Sequence, residues 1–127
     1  MQKYLLPLIA VLAILAVTTY YLSSSDDRAY YEALSNFTYV DDVADEYKAF
    51  TRIDRPFAGD CEDFAFTLQR QIGGEVWAFT YDNNVNHAAL VLNGVVYDSL
   101  RKHPVSIEKY PKHPLYQMTF SGELITN

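Results

Sequence analysis

Asn86-His87-Ala88-Ala89-Leu90-Val91-Leu92-Asn93-Gly94-Val95-Val96-Tyr97-Asp98 consists of two apolar runs parted by Asn93-Gly94. Asn-Gly between such runs is the strongest short signal for a β-hairpin, because both turn residues must take positive φ. Nearly continuous apolar arms predict central strands. A two-residue turn also fixes the register. Leu92 faces Val95, Val91 faces Val96, Leu90 faces Tyr97 and Ala89 faces Asp98. Side chains alternate along each strand, so His87, Ala89 and Asp98 share one face. His87 and Asp98 then lie diagonally, about 7–8 Å apart at the backbone, within reach of an imidazole–carboxylate bond. A slip of one residue would send Asp98 to the opposite face.

Upstream, Asp60 to Ile72 reads as the best helix in the chain. Asp60 caps it, Asp63 follows three residues on, and Gly73-Gly74 ends it. Cys61, Ala65, Leu68 and Ile72 fall on one face, directed at the sheet. Glu75 to Tyr81 alternates and reads as a strand, with a loop over Asp82-Asn83-Asn84. Asp26 to Asn36 predicts a short helix capped by Asp26 or Asp27, followed by an extended Phe37 to Val40. Asp42 to Phe50 predicts a second helix, from the spacing of Val43, Tyr47 and Phe50. Arg55-Pro56 ends it, and Ala58-Gly59 makes a turn. Arg101 to Pro114 has three prolines and four Lys or Arg and reads as a surface connection. Leu115 to Ile125 reads as a further hairpin around Ser121-Gly122. The class is α+β, with the nucleophile helix packed on a small antiparallel sheet.

The chain has 127 residues, half of them apolar, with a net charge of −6. This predicts one folded domain over residues 26–127 and argues against disorder. The negative charge argues against nucleic acid as a partner. Tyr4 to Leu22 is almost wholly apolar, with Lys3 before it and Ser23-Ser24-Ser25-Asp26-Asp27 after it. Such a run approaches the roughly 20 residues that cross a bilayer. Residues 1–25 therefore read as a membrane anchor, with residues 4–22 as a single-pass span. The positive flank keeps the N-terminus cytoplasmic and sends the body to the exported, periplasmic side. The alternative is a signal peptide whose cleavage releases a secreted protein. Residues Thr18 to Tyr21 fit poorly with the small-residue cleavage pattern, which favours the anchor.

The single cysteine excludes an intramolecular disulfide and a Cys-rich zinc site. A lone cysteine is most often a small core residue. Cys61, however, sits at the first position of a helix, where the dipole favours a thiolate. With His87 as base and Asp98 as the group that holds the base, the three meet the logic of an activated nucleophile. The Cys61 backbone N–H is a natural oxyanion donor. A second donor is not legible, and Trp77 and the nearby tyrosines are candidates only. His103 and His113, each beside a proline, receive no role.

Gly59-Asp60-Cys61-Glu62-Asp63-Phe64-Ala65, then Asn86-His87-Ala88, then Tyr97-Asp98-Ser99, resemble the bacterial transglutaminase-like cysteine proteinases. The resemblance runs in order from about Asp26 to Asp98, and its specificity lies in those three short motifs. It implies a papain-like, transglutaminase-like fold and hydrolysis of peptide or isopeptide bonds in a protein or peptide substrate. Cys61, His87 and Asp98 then occupy the triad positions. Members include periplasmic proteases that release surface adhesins, in which carboxylates flanking the cysteine bind calcium. Asp60, Glu62 and Asp63 match that segment. The chemistry itself requires no cofactor.

The calcium expectation has its own physical motive. Three carboxylates beside Cys61 oppose a thiolate, and a hard cation would cancel them. The simpler reading is that acidic residues cap the first turn and suit its dipole. Acyl transfer to a lysine amine uses the same triad as hydrolysis. A cell-wall peptide amidase of the NlpC/P60 type and a non-catalytic, degenerate binding module are the alternatives.

Overall fold

The computed structural model describes residues 24–41, 46–80 and 86–127. The expected anchor over residues 4–22, Val43, and the loop Asp82-Asn83-Asn84 lie outside the described residues. Among the described residues, no helix is long and apolar enough to cross a membrane. The architecture is α+β, as expected, with two α-helices, one five-stranded antiparallel sheet and two short parallel pairs among the described residues.

Helix α1 spans Ser25–Asn36. Its cap is Ser24, two or three residues before the expected Asp26 or Asp27, with Ser24 Oγ accepting from the Asp27 N–H at 3.0 Å. Two acids in the first turn, Asp26 and Asp27, suit the helix dipole. Strand β1 (Phe37–Tyr39) follows directly and pairs in parallel with β3 (Phe57–Gly59). Ala58-Gly59 is therefore part of a strand instead of the expected turn.

Strand β2 (Lys48–Phe50) replaces the end of the expected helix over Asp42 to Phe50. Its backbone donors are claimed from outside. The Lys48 N–H donates to Asp63 Oδ1 at 2.8 Å, and the Phe50 N–H to Thr67 Oγ1 at 3.0 Å. On its other edge β2 pairs in parallel with β9 (Glu123–Ile125). A helix would have turned these N–H groups inward to its own carbonyls, so tertiary bonds override the local spacing.

Helix α2 (Cys61–Ile72) is the centre of the molecule. Asp60 is its N-cap, and the capping box with Asp63 is complete. The single apolar face read from the sequence is too narrow. Phe64, Ala65, Phe66, Thr67 and Leu68 are all buried. Phe64 meets Tyr30, Phe37 and Phe57, whereas Phe66 meets Tyr47 and Phe120. A helix apolar over so much of its circumference must sit between layers.

The main sheet runs β7–β6–β5–β4–β8, from β4 (Glu75–Thr80), β5 (Asn86–Leu92), β6 (Val95–Tyr97), β7 (Val105–Ser106) and β8 (His113–Met118). The β5–β6 register is the one expected: Leu92 with Val95, Val91 with Val96, Leu90 with Tyr97. Asn93 (φ 52°) and Gly94 (φ 75°) make the turn. Alternation sends Val76, Ala78, Ala88, Leu90 and Tyr97 into the core against α2. Phe79, Ala89 and Val96 form a second cluster on the far face with Tyr110, Val105 and Ile107.

Two expectations at the C-terminal end are corrected. Arg101 to Pro114 is not a simple surface connection. It contributes β7 and a 3-10 turn over Ile107–Lys109 and buries Tyr110 and Lys112. Leu115 to Ile125 is not a hairpin. Strand β8 pairs with β4, and β9 leaves to pair with β2. The apolar surface of β2 and α2 is a better partner for β9 than an isolated two-stranded ribbon.

Candidate active site

Three elements meet at one end of the main sheet: the start of α2, the start of β5 and the residue just after β6. The strand pairing brings His87 opposite Phe79, and both lie on the sheet face remote from α2. Asp98 follows Tyr97 and joins that face. His87 and Asp98 are both buried, and His87 Nε2 lies 2.6 Å from Asp98 Oδ1. The diagonal approach read from the hairpin is therefore a direct bond.

The Asp98 carboxylate has three further donors. Oδ1 also accepts from the Leu100 N–H at 2.9 Å. Oδ2 accepts from the Tyr110 hydroxyl at 2.5 Å and from Lys112 Nζ at 3.3 Å. Burial by itself would raise this carboxyl, but the bonds from His87, Tyr110 and Leu100 outweigh it and hold Asp98 well below the usual carboxylate range. An ionised carboxylate only accepts. His87 Nε2 must then carry a proton, so the tautomer with a basic nitrogen has it at Nδ1. The Tyr30 hydroxyl fixes the same corner by bonding the carbonyl oxygens of Asp98 (2.8 Å) and Arg101 (2.7 Å).

Cys61 opens α2 and meets the start of β5 at the residue after His87. Its Sγ accepts the Ala88 N–H at 3.5 Å, one residue from His87. Its thiol donates to Glu62 Oε2 at 3.1 Å. Cys61, Glu62, His87 and Ala88 line one cleft of about 210 Å³, with Tyr116 and Met118 from β8 on its wall. A neighbouring hollow of about 430 Å³, lined in part by Lys48, Gly122 and Glu123, shares Tyr47 with it.

The electrostatics of the thiol differ from the helix-start expectation. Burial pushes Cys61 up to about 12, and the Glu62 and Asp60 carboxylates add to the shift, against the Ala88 N–H, which lowers it. The like-charge effect read from the sequence thus operates, and desolvation exceeds it. Cys61 rests as a neutral thiol.

The three carboxylates at the helix start divide their duties. Asp63 Oδ1 accepts from Lys48 and Oδ2 from the Asp60 N–H at 3.1 Å, while Asp60 Oδ1 accepts from the Asp63 N–H at 3.4 Å. Glu62 is turned to the thiol. Burial, with the Glu62 carboxylate beside it, pushes Asp60 up to about 7, and burial with Asp60 pushes Asp63 up to about 6. Both Asp63 oxygens serve backbone donors, and Glu62 Oε2 faces the thiol. Among the described residues, no group of three such side chains is disposed to hold a metal ion.

Gly59 explains the first letter of the motif. A Cβ at that position would overlap the Asp63 carboxylate, so the capping box needs a glycine there. Trp77 is removed as an oxyanion donor. It packs on the face remote from α2, and its Nε1–H donates to Glu75 at 3.0 Å. Tyr110 and Lys112 are the residues that sequence reasoning missed. Both lie in the proline-rich connection, where composition signals solvent.

No protein-family model matches this chain, and no functionally described protein matches its sequence. The local geometry therefore carries the functional argument.

Proposed function

We propose that this protein is a cysteine hydrolase of the transglutaminase-like, papain-like kind, cleaving peptide or isopeptide bonds through Cys61, His87 and Asp98. The observation that carries the reading is the 2.6 Å bond from His87 to Asp98 in the wall of the cleft that also holds Cys61. In the proposed reaction His87 Nδ1 takes the Cys61 thiol proton as Sγ attacks the carbonyl carbon. The Cys61 N–H at the helix start is the donor for the oxyanion that forms. Collapse breaks the C–N bond, and His87 returns the proton to the leaving amine. Water, activated by the same imidazole, then hydrolyses the thioester. A lysine amine in place of that water would give acyl transfer. Asp98 keeps the ring in the required tautomer throughout.

Because the thiol rests neutral, proton transfer accompanies attack. The proposal includes a membrane anchor over residues 4–22, which would hold the folded body on the exported side.

One observation favours a second reading, a non-catalytic binding module: the thiol is pushed up to about 12 and is engaged by Glu62. Alkylation by iodoacetamide, followed by mass spectrometry, separates the two. Labelling of Cys61 in the native protein should exceed that in His87→Ala by about a hundredfold or more, the lower end of the range for general-base assistance. Equal labelling in both proteins would leave Cys61 a scaffold thiol and overturn the hydrolase reading.

A further inference from the structure

We propose that Lys112 is a positioning residue of the site, which clamps the second oxygen of Asp98 and thereby fixes the Nε2–H bond of His87. The inference rests on the Cys61–His87–Asp98 reading for its catalytic meaning, but not for its test.

Lys112 is only 6% exposed. An ammonium group taken out of water is strongly destabilising unless it is paired and solvated by fixed groups. Here the compensation is concentrated on the site. Lys112 Nζ lies 3.3 Å from Asp98 Oδ2 and 5.1 Å from the centre of the Tyr110 ring. The Tyr110 hydroxyl bonds that same Oδ2. The guanidinium of Arg101 is also stacked on the Tyr110 ring, at 5.3 Å. The ring is therefore held by two cations, and its hydroxyl is aimed at the carboxylate.

A carboxylate offers about four lone-pair directions. Those of Asp98 are filled by His87 and Leu100 on Oδ1 and by Tyr110 and Lys112 on Oδ2. A carboxylate bound at one oxygen only can swing about its Cβ–Cγ bond. One bound at both oxygens by donors from different segments cannot. Leu100 comes from the turn after β6, while Tyr110 and Lys112 come from the segment leading into β8. Tyr110 and Lys112 together couple this segment to the imidazole on β5, and Lys112 adds the charge that strengthens the hold on Oδ2 relative to a neutral donor alone.

The test reads the imidazole directly and needs no substrate. In the full chain, proton NMR with nitrogen-15 labelling should show the His87 Nε2–H as a downfield resonance protected from exchange with water. Lys112→Met should move that resonance upfield and speed its exchange by about tenfold or more, the factor expected for weakening one charge-assisted bond. Lys112→Arg, which retains a cation, should keep the resonance near its native position. An unchanged resonance and exchange rate in Lys112→Met would overturn the proposal, as would equal loss in the Met and Arg variants with native melting curves. If Lys112→Met fails to fold, Lys112→Gln takes its place. It removes the cation at the same position and should produce the same upfield move, and no move would again overturn the proposal. Loss of the signal in a protein whose Cys61 proves unreactive would uphold the clamp and refute only the hydrolase reading.

Discussion

His87 and Asp98 are joined, Nε2 to Oδ1, at 2.6 Å across the β5–β6 hairpin, with both side chains buried. Asp98 stands just beyond the last ladder pair of β6, where its carboxylate can reach back diagonally to the imidazole. The bond decides which imidazole nitrogen is available to accept a proton, and most of the testable consequences follow from it.

Asp98→Asn keeps the shape of the site but replaces an acceptor-only group with an amide that can present either a donor or an acceptor. The rate of any reaction at Cys61 should fall by about 10²–10⁴-fold, the scale of losing an oriented base. Lys112 would be left buried against a neutral amide, so stability should also fall, by about 3 kcal/mol. Alkylation kinetics and denaturant unfolding measure the two effects separately.

Acid should destabilise the protein through Asp98, and alkali through the helix cap. Asp98 is held below its unfolded value, so its contribution is present above about pH 4 and is lost as pH falls through the folded value. Asp60 and Asp63 are raised, to about 7 and about 6, so their contribution is full below about pH 4 and is lost as pH rises through 6 to 7. Melting temperature should therefore pass through a maximum on the acid side of neutrality. Asp60→Asn should flatten the decline between pH 5 and pH 8, at intervals of about one unit in pH. A decline of the native size in that variant would remove Asp60 as its source.

Gly59→Ala inserts a methyl group into the Asp63 carboxylate and forces the capping box apart. Overpacking of this kind costs about 1–3 kcal/mol. Because Asp63 also binds the Lys48 N–H, the attachment of β2 should loosen with it. Amide hydrogen exchange at Lys48 should accelerate, alongside a lower midpoint of unfolding.

Glu62→Gln removes the carboxylate that accepts from the thiol and raises it. The thiol should become easier to ionise, by up to about one unit, and alkylation near pH 8 should speed up several-fold. Burial, the larger cause, is untouched, so the thiol should stay above that of a free cysteine. A slower reaction would mean that Glu62 positions the sulfur rather than suppressing it.

Calcium should have little effect in this arrangement, because Asp63 is committed to backbone donors on both oxygens. Addition of millimolar calcium, or of a chelator, should shift the melting temperature by less than about 2 °C, well under the effect of a ligand present at 100 times its dissociation constant. A rise of several degrees that disappears in Glu62→Gln would show that the carboxylates regroup around a cation.

The parts of the fold legible in the sequence were those governed by local rules. The Asn93-Gly94 turn gave the β5–β6 register, since positive φ at two successive positions is a demand of the backbone itself. The capping box gave the start of α2, and with it the position of Cys61. Strand β2 was misread as helix because its N–H groups are satisfied by Asp63 and Thr67, fifteen and seventeen residues away. No pattern within Asp42 to Phe50 could encode those partners.

The sequence by itself determined the hairpin, the helix that Cys61 opens and the shared face of His87 and Asp98, because turn geometry and the two-residue repeat of a strand act over a few bonds. Only the tertiary structure decided how Cys61 meets them, what its thiol touches, and that a lysine from a basic, proline-rich stretch is buried on Asp98. Desolvation and charge pairing depend on which distant segments close over a site, and those distances exist only once the chain has packed.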